Sequence, residues 1–224
     1  MHIGLIAGIG PAATDFYYRG LIDRHRAAGV PLDVTMCHAD VGEMGRNLAE
    51  GQGRKQAEIF AGLIARMKAA GAQAAAVTSM GGHFCIKELE PISPLPLING
   101  LKPVAAAIAE RKLKRVGVLG TRVVMNTKLY GSVPEAELVA PDGPMFDRVA
   151  ESYSAMAGIG RVTDEQRRTF FEAGRALVRD KSCEAVMLGG TDLFLAFVGH
   201  PADFPLVDCA DIHVDAIFQK SRAP

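Results

Sequence analysis

The chain has 224 residues, 49% of them apolar, and its 25 lysines plus arginines balance 25 aspartates plus glutamates. That apolar share can fill buried sheets in one α/β domain or in two smaller lobes, and the balanced charge argues against nucleic acid or a membrane surface as principal partner. No apolar run approaches the roughly 18 residues of a membrane span, and the N-terminus lacks a signal-peptide pattern, so a cytoplasmic location with no membrane partner is expected.

From the N-terminus, "HIGLIAG" is a short buried strand, followed by a helix over "PAATDFYYRGLIDRHRAAG" with a terminal glycine stop. "DVTMCHAD" alternates like a second strand. Residues 54–70 place Ile59, Leu63, Ile64 and Met67 on one helical face, with Gly71 closing the helix. "AQAAAVTSM" is a third strand and "PLPLIN" a fourth. Strands alternating with helices in this way call for a mostly parallel sheet with helices on both faces.

The pattern then begins again. "RVGVLGT" echoes "HIGLIAG", "CEAVMLGGTDLF" echoes "AQAAAVTSMGGHF", and "FPLVDCADIHVDAIF" echoes "PLPLINGLKPVAAAI". A capping box from Thr163 to Gln166 opens the helix "RRTFFEAGRALVRD". The expectation is a duplicated α/β fold: a first lobe over residues 1–99, a second over 100–207, and a cleft between them. Open parallel sheets bind ligands beyond the carboxyl ends of their strands. Here those ends are Ala7–Gly10, Thr78–His83, Gly120–Thr121 with Met125, and Gly189–Asp192.

Each of these ends has two readings. "GIGP" at 8–11 lacks the third glycine of a dinucleotide fingerprint, so no NAD is expected. The amides around Gly8 and Gly10 could receive a carboxylate at the helix start, or the segment is only a tight turn. "TSMGGH" offers Thr78, Ser79, Gly81 and His83, but G-x-S-x-G is not matched, and the two hydroxyls could simply cap a helix. "LGGTDL" offers Gly190, Thr191 and Asp192 on the same terms. His213 follows Cys209 by one helical turn and is either structural or catalytic. Arg46 and Arg54 flank a polar loop; one of them could clamp a carboxylate, although solvated loop arginines are commoner. His38 and Asp40 have no partner cluster at ligand spacing, so no metal is expected. Cys37, Cys85, Cys183 and Cys209 contain no CxxC pair and are expected as free thiols.

In order, "GLIAGIGPAAT", "AVTSMGGHF", "PLPLIN", "VGVLGTRVVMNTKLYG", "LGGTDL" and "PLVDCADIHVDA" resemble the aspartate/glutamate racemase superfamily, closest to its aspartate racemase branch. The resemblance runs the length of the chain. It implies two pseudo-symmetric α/β lobes, a C-terminal helix (208–224) packed back on the first, no cofactor, a homodimer, and a small-molecule carboxylate as partner. It also implies proton removal beside a carboxylate by one thiol and reprotonation of the opposite face by another.

The family writes its catalytic motifs roughly as C-N-T-x-H and G-C-T-E. Matching His83 and Thr191 to them puts Ser79 and Gly190 at the two cysteines and Asp192 at the glutamate. Methionine at 156 stands where some aspartate racemases carry a substrate-binding lysine. A serine hydroxyl is a far weaker acid than a thiol near pKa ~8.5, and glycine has no side chain, so efficient two-thiol racemisation is not expected. Ser79, His83, Asp192 and His213 are the catalytic candidates, with Cys209 as a further titratable group. Gly190 is expected to leave room for a ligand bulkier than aspartate. The alternatives are a lyase or decarboxylase-like enzyme, or a catalytically silent carboxylate-binding protein.

Overall fold

A computed structural model describes residues 1–222. It divides into two compact units: Met1–Gly100 with the chain from His213 onward, and Leu101–Ile212. In the first unit β1 (Ile3–Ala7) lies between β2 (Val34–His38) and β3 (Ala74–Val77), all parallel, with Ile3 opposite both Val34 and Ala74. In the second, β4 (Arg115–Leu119) lies between β5 (Glu137–Val139) and β6 (Ala185–Leu188), and β7 (Leu206–Asp208) extends the sheet to the order β5-β4-β6-β7. This is the α/β class with two helix-flanked parallel sheets that the repeated strand–helix pattern calls for.

The repeat extends to single glycines. A Cβ at Gly4 of β1 would stand 2.8 Å from Met67 Sδ of α3 (Gly53–Ala69). A Cβ at Gly117 of β4 would stand 2.9 Å from Leu177 Cδ1 of α8 (Asp164–Lys181). In each unit a helix rests on the central strand at the one residue without a side chain, which is why "HIGLIAG" and "RVGVLGT" carry glycine at the same place.

Local signals set most helix ends. Gly29, in the left-handed conformation at φ 65°, closes α1 (Pro11–Ala28). Asp40 caps α2 (Val41–Ala49) by accepting from the Glu43 amide at 2.6 Å. Thr163 and Gln166 form the expected reciprocal capping box at the start of α8.

One strand expectation needs correction, and one strand was missed. "PLPLIN" is only an isolated bridge, Ala75 to Leu97, made by the Ala75 amide to Pro96 O and the Ile98 amide to Ala75 O. Pro94 and Pro96 have no N–H, so the ladder cannot lengthen. Strand β5 was not anticipated: it is three residues long, only Leu138 of it is buried, and so short an edge strand shows no period.

The remaining helices are α4 (Ile86–Leu89), α5 (Leu101–Glu110), α6 (Arg122–Asn126), α7 (Gly143–Ile159), α9 (Phe194–Phe197) and α10 (Cys209–Ser221). Within the first unit the α10 residues from His213 pack on α1, Ser221 reaching His25 at 2.8 Å and the N-terminal amine at 2.7 Å. The last two positions of the expected 208–224 helix lie outside the described residues. Among the described residues no helix is long and apolar enough to cross a membrane.

Candidate active site

The loop leaving β3 is saturated by its own unit. Thr78 donates its hydroxyl to Ile6 O at 2.8 Å, tying the loop to β1. Ser79 Oγ accepts from the Gly82 amide at 3.3 Å and so caps the 3₁₀ turn Gly81–Cys85. Gly82 cannot carry a side chain, because a Cβ there would meet Val77 at 2.8 Å and Ile9 at 3.1 Å. That contact packs the "GIGP" segment against the serine loop.

Two histidines brace this loop. His83 Nδ1 faces Ser79 O at 2.7 Å and Nε2 faces the Gly100 amide at 3.1 Å. A carbonyl only accepts and an amide only donates, so the ring is neutral with its proton on Nδ1. His213 Nε2 faces Ile98 O at 2.8 Å and its Nδ1 takes the Tyr17 hydroxyl at 2.9 Å, which fixes the other tautomer. The two rings meet edge to face at 5.6 Å. Burial pushes His83 down to about 4, the Ser79 carbonyl partly opposing it. Burial, then the neighbouring His83, pushes His213 down to about 3. Every ring nitrogen is engaged, so both imidazoles act here as hydrogen-bonded braces.

The loop leaving β6 is organised differently. Gly190 has φ −104°, which any residue can adopt, yet a Cβ there would stand 2.2 Å from Cε2 and 2.9 Å from the hydroxyl oxygen of Tyr153. The room expected beside Gly190 is therefore filled by a tyrosine from α7. Tyr153 is 5% exposed and donates to Asp192 Oδ2 at 3.2 Å. Burial, reinforced by the Asp192 carboxylate, raises the phenol well above its ordinary pKa. Thr191 Oγ1, also buried, lies by the same phenol but makes no hydrogen bond of normal geometry. A Cβ at Gly120 would meet the Gly190 amide nitrogen at 2.9 Å, so the β4 and β6 loops touch through bare backbone. Thr121 caps α6 by accepting from the Val124 amide at 3.1 Å.

The other candidates fall variously. Gly8 and Gly10 have φ of 87° and 111°, as their turn requires. The Gly8 amide is taken by Thr14 Oγ1 at 3.0 Å. Gly81 is buried in the 3₁₀ turn. Arg46 is exposed on α2, and Arg54 pairs with Glu58 on the surface of α3. Met125 and Met156 belong to the apolar core of the second unit. Asp40 is spent on its helix cap. Cys85 and Cys209 are buried thiols, the first pushed up to about 12 and the second well above its ordinary value, so neither offers a thiolate at neutral pH. Asp208 caps α10 by accepting from Ala210 and Asp211.

Sequence reasoning missed Tyr153 and Tyr17, because both sit at apolar positions of their helices and look like core. The one signal was chemical: a buried phenol needs a partner. It also missed the turn Lys128–Gly131, in which φ runs 51°, 52°, 60° and 64°. A left-handed leucine and tyrosine cost roughly 1–2 kcal/mol each, here offset by burial of Leu129 and by Thr127, which receives the Tyr130 and Gly131 amides.

A family model for Asp/Glu/Hydantoin racemase matches residues 6–217. The fold is shared with a Yersinia pestis protein assigned to the Asp/Glu racemases (TM-score 0.85, 22% identity, 100% of both chains covered). It is also that of an aspartate racemase homologue from Pyrococcus horikoshii OT3 (TM-score 0.81, 21% identity, 99% of both chains). Glutamate racemase from Francisella tularensis, solved with D-glutamate, is more distant (TM-score 0.69, 15% identity, 98% of this chain and 80% of that one). Two parallel sheets of like strand order, each ending in a small-residue loop with hydroxyl groups, and a family match spanning nearly the whole sequence place this chain in the Asp/Glu/Hydantoin racemase family of isomerases.

Proposed function

We propose that the protein is a cofactor-independent isomerase acting on a small or medium carboxylate, with the loops after β3 and β6 as its functional segments. The observation that carries this is the equivalence of the loops: each follows the strand next to the central one in its own sheet and turns through a 3₁₀ segment, with Thr78 and Ser79 just before the first and Thr191 opening the second. Ser79 and Asp192 are the polar side chains assigned a catalytic role. His83 and His213 are positioning residues that hold the serine loop, and Thr78, Gly81, Gly120, Thr121, Gly190 and Thr191 shape the carboxylate site. Arg46, exposed at the surface, is the candidate carboxylate clamp. Efficient two-thiol racemisation of aspartate or glutamate is not part of this function, since Ser79 and Gly190 supply no thiol and the buried Cys85 and Cys209 are held protonated. A homodimer in the cytoplasm belongs to the same proposal, and light scattering giving the mass of a single chain would contradict the dimer.

One observation favours a lyase or decarboxylase-like reaction as the second reading. Neither loop offers a strong base at neutral pH: Ser79 is a hydroxyl already accepting a bond, and the Tyr153 phenol is held protonated. Such groups can supply a proton to a carbanion produced by another bond cleavage. Incubation in deuterated water with 2-amino, 2-hydroxy and 2-aryl carboxylates separates the cases. An isomerase labels recovered substrate and a lyase labels only product. A protein that binds these acids and labels neither would sink both enzymatic readings.

A further inference from the structure

We propose that Tyr153 is the proton donor of the β6 loop, its phenol occupying the place a side chain at residue 190 would take. This depends on the carboxylate enzyme proposed above, and it names the group that acts on one face of the reacting carbon. The ring stands where a Cβ at Gly190 would point, and its hydroxyl oxygen is 2.9 Å from that position. Any side chain presented at 190 is thus replaced, in space, by a phenol delivered from α7.

Three features suit that phenol to donation. Burial keeps it protonated, so at neutral pH it gives a proton and does not take one. Its bond to Asp192 Oδ2, at 3.2 Å, is long for an O–H donor and carboxylate, so the hydrogen can be redirected at little cost. Beside it, the buried Thr191 Oγ1 has no hydrogen-bond partner. Buried polar atoms are rarely left unpaired, so this hydroxyl retains capacity for a further hydrogen bond. In the step itself, the electron pair of the substrate enediolate forms the new C–H bond with the phenolic hydrogen. The O–H pair stays on the tyrosine oxygen, and the phenolate regains a proton from water. Repulsion from Asp192 makes that phenolate strongly basic, so it is short-lived and quickly regains its proton.

The test is Tyr153→Phe, which keeps the ring and removes only the oxygen. Deuterium incorporation from deuterated water is followed with the same 2-amino, 2-hydroxy and 2-aryl carboxylates, including both enantiomers of aspartate and glutamate. The wild type is expected to label substrate or product from at least one of them. The variant should lose on the order of 10²-fold or more in kcat with little change in KM, the loss typical of a positioned acid, and should stay folded with a modestly lower melting temperature, because Asp192 Oδ2 loses a donor. Undiminished labelling by Tyr153→Phe would overturn the donor assignment and leave the enzymatic function standing. No labelling by the wild type with any of these acids would overturn both. A second pair checks the geometry without substrate: Gly190→Ala should lower the melting temperature, and adding Tyr153→Ala should relieve the contact part of that loss. A fully stable Gly190→Ala protein would show that the ring is not where the proposal needs it.

Discussion

The loops after β3 and β6 occupy the same place in two sheets of like strand order, yet they are finished in opposite ways. In the first, the polar side chains are paired within the unit: Thr78 to Ile6, Ser79 to Gly82, His83 to Ser79 and Gly100. In the second, a tyrosine from a distant helix fills the space beside Gly190, and the Thr191 hydroxyl is left unpaired. Groups whose hydrogen bonds are all made locally rigidify a loop, whereas a buried group without a partner is available to a ligand. Loops at equivalent places in two like sheets thus differ in how their polar groups are paired, the first braced and the second holding unspent polar capacity.

Acid should break the first loop most severely. His83 and His213 are held at about 4 and about 3, below the ordinary 6.5 that they recover on unfolding. The unfolded chain therefore takes up their protons first. Their contribution is fully present above pH 6.5 and is lost as pH falls toward 4 and 3, at about 1.4 kcal/mol per pH unit for each ring. Asp208, its carboxyl raised by burial, offsets part of this at the acid end. Urea unfolding at a series of pH values reads the slope, and stability that stays flat below pH 6.5 would mean that the rings are not held neutral.

Removing a brace comes next. His213→Ala removes one hydrogen bond each from the Tyr17 hydroxyl and the Ile98 carbonyl and opens a cavity, for an expected loss of about 3–5 kcal/mol in urea unfolding. A loss below about 1 kcal/mol would place that network outside the stable core.

Restoring thiols separates the loops further. Ser79→Cys adds no volume at Cβ and should cost no more than about 1 kcal/mol. Gly190→Cys is not strained by its backbone, since φ is −104°, but it collides with Tyr153 and should cost roughly 1–3 kcal/mol. Shortening Tyr153 to alanine in the same chain should recover part of that loss, so the two changes are non-additive. For this reason a double change at 79 and 190 alone is not expected to create a racemase. Aspartate racemisation by that double variant, followed by circular dichroism, would contradict the filled pocket.

The smallest effect discriminates most finely. Thr191→Val deletes a hydroxyl without a partner and should be neutral or stabilising by up to about 1 kcal/mol, whereas Thr78→Val removes a made bond and should cost about 1–2 kcal/mol. Equal losses at the two threonines would remove the distinction between the loops.

The sequence determined the parts whose causes lie within a few neighbouring residues. Buried apolar runs specify β1, β3, β4 and β6, Gly29 stops α1, and Thr163 with Gln166 opens α8, because period and capping act over one or two turns. The doubled pattern also brought out the glycines of β1 and β4 and the loops that follow β3 and β6. Tertiary structure decided what fills those loops. Tyr153 lies 39 residues from Asp192, and His213 lies 115 from Ile98 and 196 from Tyr17, separations at which no local pattern links the partners. Glycine at 190 reads in one dimension as missing volume. Only packing reveals that volume to be occupied, because a glycine's empty space is set by whichever side chain the fold brings across it.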